Sequence, residues 1–156
     1  MTTFIGDFLC KSDAKGRIVL PSLFKKEMSE ANQSSFVVRK DLFDNCLVLI
    51  PQNEWQKEVQ LLESKLSNFR QKDKRLKRAL YRSTAEVSLD ANGRFLVPKR
   101  ILELVGITKE VVLLGVGGNI ELWSKQEFEG EGLSGEEVGE LAEELLGGNF
   151  GDEEEK

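Results

Sequence analysis

Asp13-Ala14-Lys15-Gly16-Arg17-Ile18-Val19-Leu20-Pro21 returns 77 residues later as Asp90-Ala91-Asn92-Gly93-Arg94-Phe95-Leu96-Val97-Pro98. Five of the nine positions are identical, and three more exchange one apolar residue for another. A repeat at this separation predicts two copies of one supersecondary unit, each too small to be stable alone. The two versions also allow the motif's residues to be sorted by what they do.

Around each motif, a strand, five residues containing glycine and a second strand predict a hairpin with a tight loop. Asp13 and Asp90 are placed to accept hydrogen bonds from backbone N–H groups two residues on. Gly16 and Gly93 supply a positive φ that a side chain resists. Pro21 and Pro98 end the strand and start a helix, where a missing N–H leaves nothing unpaired. None of this requires Arg17 or Arg94. A guanidinium suits bidentate contact with phosphate or with the O6/N7 edge of guanine. It equally suits a salt bridge to Asp13 or Asp90 that locks the loop, so both readings stand. Lys15 becomes Asn92 in the second copy, and Lys11, Lys25 and Lys26 lie close to the first motif in the chain. The first hairpin is therefore expected to grip an anion harder.

Outward from the motifs, the first copy reads as strands over Phe8 to Lys11 and Ile18 to Leu20, then a short helix burying Leu23, Phe24 and Met28. Gln33-Ser34-Ser35 reads as a loop. A strand pair, Phe36 to Arg39 and Cys46 to Ile50, turns through Asp44-Asn45. The second copy repeats the order with Ala85 to Leu89, Phe95 to Val97, and a helix from Pro98 through Leu104 stopped by Gly106. Val111 to Leu114 and Ile120 to Trp123, turned by Gly117-Gly118-Asn119, close it. Between the copies, Trp55, Val59, Leu62 and Leu66 form an apolar stripe on a helix from about Asn53 to Ser67, expected to pack on the body. From Arg70 to Arg82, seven basic residues face a single Asp73, either a solvated helix face or a surface for an anionic partner.

Charge is divided along the chain. The net charge is −5, yet residues 129–156 hold eleven acidic groups and one basic residue. Residues 1–128 carry 21 basic and 16 acidic groups, a net of +5. The body is basic and the tail acidic, which whole-chain charge conceals. In the tail, Val138, Leu141, Ala142, Leu145 and Leu146 suit a weak amphipathic helix ended by Gly147-Gly148, with Asp152 to Lys156 disordered. A solubilising tail and an acidic arm that competes with nucleic acid are both open readings.

The chain has no histidine, the commonest general base, and no phosphate-cradling glycine-rich loop. With no support for catalysis beyond the carboxylates any acidic chain carries, it reads as a non-enzyme without cofactor or metal. Cys10 and Cys46 lack metal-ligand spacing and read as small buried thiols, with a disulfide or sensor pair as the alternative. No stretch approaches the length of a membrane span.

The tandem D-x-K-G-R-x-x-x-P and D-x-x-G-R-x-x-x-P motifs resemble those of the MraZ family of bacterial transcriptional regulators, which carry two SpoVT-AbrB domains. The resemblance covers residues 5–128 and includes Pro51-Gln52-Asn53-Glu54-Trp55 and Glu121-Leu122-Trp123. Asn92 in the second motif, Cys10-Lys11-Ser12 before the first, and the acidic tail depart from it. It implies an α+β fold of two swapped-hairpin β-barrel repeats packed pseudo-symmetrically with linking helices. The domains would span 7–54 and 83–126, with a helical linker over 55–82 and a partly disordered tail over 129–156. It also implies a cytoplasmic, nucleoid-associated protein forming a ring-like homo-oligomer, with no membrane partner. The ring would bind direct repeats in double-stranded promoter DNA of the cell-division and cell-wall gene cluster. Arg17 is implied in DNA contact, with Lys15, Lys11 and Arg94 as the accompanying candidates. A ring-forming scaffold for protein partners is the alternative.

Overall fold

The computed structural model describes residues 3–150. Each copy contributes four strands and a short helix, and the linker contributes two more helices. The first copy runs β1 (Phe4–Lys11), β2 (Arg17–Val19), α1 (Ser22–Glu30), β3 (Ser35–Lys40) and β4 (Leu47–Pro51). After α2 (Gln52–Lys65) and α3 (Gln71–Arg82), the second copy runs β5 (Thr84–Ser88), β6 (Arg94–Leu96), α4 (Lys99–Leu104), β7 (Glu110–Gly117) and β8 (Ile120–Ser124). Two helices, α5 (Lys125–Gly130) and α6 (Gly135–Phe150), follow. The class is α+β.

Six strands form one antiparallel sheet in the order β1-β7-β8-β4-β3-β5, and β2 pairs with β6 in a separate two-stranded ribbon. The expected hairpin around each motif is therefore corrected. β1 and β2 do not pair with each other along a ladder; β1 pairs with β7 of the other copy, and β5 pairs with β3. The strand after each motif likewise pairs with its counterpart. The flanking strands find their partners across the repeat.

The exchange is symmetric. On the ribbon, Ile18 faces Phe95, its own equivalent in the other copy. On the sheet, β4 and β8 pair with Val48 opposite Glu121, again equivalents. A pseudo-twofold axis thus passes through both places, and each side of it repeats the other.

One core results. Ile18, Phe24, Phe36, Val38 and Leu49 of the first copy pack in a single cluster with Phe95, Ile101, Leu113 and Leu122 of the second. Phe24 meets Phe4 and Phe8 edge-on, with ring centroids 5.4 and 5.1 Å apart, a favoured geometry for aromatic pairs. Neither half encloses this cluster alone.

Several local expectations hold. Gly16 and Gly93 take φ of +85° and +73°, and Gly106 ends α4 with φ of +69°. Pro21 and Pro98 stand at the N-caps of α1 and α4. The stripe Trp55, Val59, Leu62 and Leu66 is half-buried, on a helix that packs on β3 and β4. Two expectations do not hold. Leu23 is 60% exposed while Phe24 and Met28 are buried, because α1 turns only one side to the core. Gly147-Gly148 do not end α6, which continues to Phe150. Asp152 to Lys156 lie outside the described residues.

Candidate nucleic-acid interface

Each motif closes its loop with the same set of bonds. Asp13 Oδ1 accepts from the backbone N–H of Lys15 and of Arg17, both at 2.9 Å. Its Oδ2 accepts from Arg17 Nε at 2.9 Å. Gly16 N–H donates to the Asp13 carbonyl, and Asp13 N–H to the Arg17 carbonyl. Asp90 repeats the pattern with the N–H groups of Asn92 and Arg94 and with Arg94 Nε, each at 2.9 Å. The backbone N–H of Arg17, the largest influence, holds the Asp13 carboxyl below the usual carboxylate range. Asp90 is lowered in the same way, chiefly by the Arg94 N–H.

The salt bridge left open by the sequence is thus formed in both copies. It engages one donor of each guanidinium. Among the described residues, neither Arg17 nor Arg94 makes a hydrogen bond through its Nη1 or Nη2 group, although Arg94 Nη1 lies 3.9 Å from Asp13 Oδ2. Arginine carries five N–H donors in a planar fork, so the aspartates fix the root of each fork and leave its outer donors to other acceptors.

The β2–β6 ribbon brings the two motifs together, with Arg17 opposite Leu96 and Arg94 opposite Val19. Leu20 N–H also bonds the Gly93 carbonyl at 2.9 Å, tying the first motif to the second loop. Lys15 is exposed in the first loop. Lys11 is exposed at the end of β1, but its register partner is Glu110, which partly offsets its charge. Chain position places Lys25 beside the first hairpin, but the structure places it elsewhere. A methyl group built on Gly93 would lie 3.0 Å from Lys25 Nζ, so this lysine lies over the second loop. The exchange of strands carries α1 across to its partner motif, and the charge difference between the loops narrows.

The structure also assembles a group that no local pattern signals. Ligand atoms of Asp41, Cys46 and Glu121 lie within 4.8 Å of one another. Their polar atoms already have structural work. Asp41 Oδ2 accepts from the N–H groups of Phe43 and Asp44, and Glu121 accepts from Trp123 Nε1 at 3.0 Å. Burial, with the acidic neighbours adding to it, pushes the Cys46 thiol up to about 12. Both cysteines are free, and β7 and β8 separate the strands β1 and β4 on or beside which they lie.

Among the described residues, no helix is long and apolar enough to cross a membrane. The arrangement offers cations and backbone, with no base positioned for proton transfer.

A family profile described as "MraZ protein, putative antitoxin-like" matches the chain twice, over residues 3–79 and 80–130. A protein of Phocaeicola vulgatus is 37% identical over 146 residues, covering 94% of this chain and 95% of the relative. One from Flavobacterium psychrophilum is 34% identical over 157 residues, covering 99% of this chain and 98% of the relative, so its alignment extends into the acidic tail. One from Clostridium tetani is 37% identical over 129 residues, covering 81% of this chain and 84% of the relative. All three are named "Transcriptional regulator MraZ", a regulator rather than an enzyme. With both halves matched in order and nearly the full length of two relatives covered, the chain belongs to the MraZ family.

Proposed function

We propose that this chain is a transcriptional regulator that binds double-stranded promoter DNA through the β2–β6 ribbon and its two loops. The relatives' shared name supports the regulatory role. The observation that carries the DNA reading is the way each arginine is held. Arg17 and Arg94 are anchored through Nε, and their outer donors remain available to phosphate or guanine. Lys15 adds a mobile cation beside Arg17, and Lys11 adds a weaker one. Arg94 and Lys25 form the corresponding cationic group on the second loop.

A single ribbon makes few phosphate contacts, so one chain binds modestly and with strong salt dependence. A ring-like homo-oligomer raises avidity by making later contacts intramolecular. Phe43 and Phe69, 92% and 99% exposed, support self-association. The exchange of β1 and β5 supports a swapped-hairpin barrel as the repeated unit. Direct repeats in the promoter of the cell-division and cell-wall gene cluster are the proposed target, and the cytoplasmic nucleoid the proposed location.

The same exposed aromatics favour a second reading, a ring-forming scaffold for protein partners. A gel shift against the chain's own upstream region, with wild type beside Arg17→Ala, separates the two. The regulator keeps its fold and assembly in Arg17→Ala and loses the shift. A variant that loses assembly, or keeps full DNA affinity, overturns the DNA reading.

A further inference from the structure

The α2–α3 pair and α6 leave two complementary surfaces uncovered. α2 and α3 are clamped by Lys77 Nζ on Glu63 Oε1 at 2.7 Å and by an edge-on contact of Trp55 with Tyr81. Where the pair meets the β3–β4 loop, Leu42, Trp55, Leu61, Leu62, Leu80 and Tyr81 line an apolar cavity of about 160 Å³. That is below the roughly 300–1,000 Å³ of a small-molecule site, and suits inserted side chains better. Tyr81 is also part of a second depression, whose other lining residues include Lys74, Lys77 and Arg78. An apolar slot and a cationic shelf therefore adjoin on one helical hairpin.

α6 has the opposite character. Val138, Leu141, Ala142, Leu145 and Leu146 recur at i, i+3, i+4, i+7 and i+8, one apolar stripe along the helix. The stripe is open: Val138 is 52%, Leu141 38%, Leu145 73% and Leu146 44% exposed. Glu136, Glu137, Glu140, Glu143 and Glu144 surround it, and 135–147 contains no basic residue. α5, which precedes it, packs on β7 and β8, whereas α2 packs on β3 and β4 and α3 on β3 and β5. The folded chain leaves its own stripe and its own slot unfilled.

We propose that α6 of one chain docks on the α2–α3 hairpin of a second copy, with its leucines in the apolar slot and its glutamates on Lys74 and Arg78. This is the helix-in-groove mode, in which apolar anchors at helical spacing supply affinity. Here charge complementarity supplies orientation and partner choice. The basic residues of α3 then serve a contact between copies rather than nucleic acid. The inference does not depend on the ribbon's binding DNA.

The test uses full-length chains in a Cys10→Ser background, with the buried Cys46 left in place. One chain, carrying a mass tag, has Leu145→Cys; the other has Leu61→Cys; a short bismaleimide is added to the mixture. The expected product joins the two different chains. Leu141→Glu in the α6 donor lowers its yield about tenfold, and the exposure of Leu141 lets the fold persist, as an unchanged melting temperature checks. Lys74→Glu/Arg78→Glu in the receiving chain, which leaves the Lys77–Glu63 clamp in place, lowers the yield as well, most at low salt. No inter-chain product, or a yield indifferent to Leu141→Glu, overturns the proposal. A third chain carrying both substitutions extends the test, and a product confined to links within that single chain also overturns the proposal. If the double charge reversal abolishes binding to a duplex of arbitrary sequence and leaves crosslinking unchanged, the shelf belongs to DNA and the proposal also fails.

Discussion

Arg17 donates from Nε to Oδ2 of Asp13 at 2.9 Å, closing over the turn that its own backbone N–H already helps to form. The turn needs the carboxylate more than it needs the guanidinium. Asp13 accepts three hydrogen bonds, and two of them come from backbone groups that remain when the arginine side chain is removed. The pair is partly exposed, with side chains 30% and 36% accessible. Such a pair contributes little to stability.

The two positions should therefore separate by measurement. Arg17→Ala is expected to cost less than about 1 kcal/mol. Asp13→Ala leaves two turn N–H groups without their acceptor and is expected to cost more than Arg17→Ala. Urea denaturation of the two variants beside wild type checks this. An Arg17→Ala loss as large as that of Asp13→Ala would make the arginine a structural element of the loop.

The same contacts set a pH dependence. Asp13 and Asp90 are held below the usual carboxylate range, chiefly by backbone N–H groups. A carboxyl with a depressed folded pKa stabilises the fold at pH above its unfolded value of about 3.9. That contribution is lost as pH falls through the folded value. Glu137, lowered by Ser134, acts in the same sense. Glu121, raised by burial, acts oppositely, and its effect belongs to higher pH because it is protonated in both states in strong acid. Asp13→Asn/Asp90→Asn should flatten the fall in stability below about pH 4. A slope equal to wild type would assign acid sensitivity to other groups.

Gly115 tests the exchange of strands. A Cβ placed there would lie 2.5–2.7 Å from backbone atoms of Phe4 and Ile5. Main chain cannot step aside as a flexible side chain does, so Gly115→Ala must push β1 away from β7. The expected cost is at least about 2 kcal/mol. Hydrogen exchange should report the loss of protection over Phe4–Lys11 while β3–β4 stays protected. Equal protection in both places would mean that β1 does not depend on its partner from the other copy.

What could be read from the chain follows the range of the interactions. The aspartate turns, the positive φ of Gly16 and Gly93 and the helix starts at Pro21 and Pro98 are set by neighbours within a few residues, and two copies displayed them twice. Strand partnership is not local. β1 and β2 are near in sequence, yet each is satisfied by the other half of the molecule, and nothing in either segment names that partner. Lys25 was misplaced for the same reason, since α1 crosses to the second motif. The apolar pattern does not reveal the early part of β1, because Gly6 and Asp7 interrupt it between buried Phe4 and partly buried Phe8. The grouping of Asp41, Cys46 and Glu121 needs a loop and a strand of different copies, so spacing could not announce it.

The cysteines should differ from a reactive sensor pair. Cys46 is fully buried and its thiol is pushed up to about 12, while burial also raises Cys10. At pH 8 the thiolate fraction of Cys46 is then on the order of one in ten thousand. In the native protein a chromogenic disulfide reagent should leave Cys46 untouched and modify the half-buried Cys10 slowly. Both should react at once in denaturant. Fast native modification of Cys46 would show that the Asp41–Cys46 loop opens.

If the ribbon reads promoter repeats as part of a ring, spacing must matter as much as base contact. Each chain meets DNA through one small surface, so an isolated repeat binds with little more than its own phosphate contacts. Several repeats on one face of the duplex engage several chains, and linked contacts raise avidity by roughly 10²–10⁴-fold. One face is kept only when repeats recur by about one helical turn, ~10 bp. Inserting about 5 bp between repeats turns the second away from its subunit and should reduce affinity nearly to the single-repeat value. Inserting about 10 bp should restore part of it. Arg17→Ala should weaken single and multiple sites alike, because it acts at each contact rather than on the linkage between them. Equal affinity for single, in-phase and out-of-phase sites would leave the ring without a role in recognition, and the ribbon alone would then have to account for specificity.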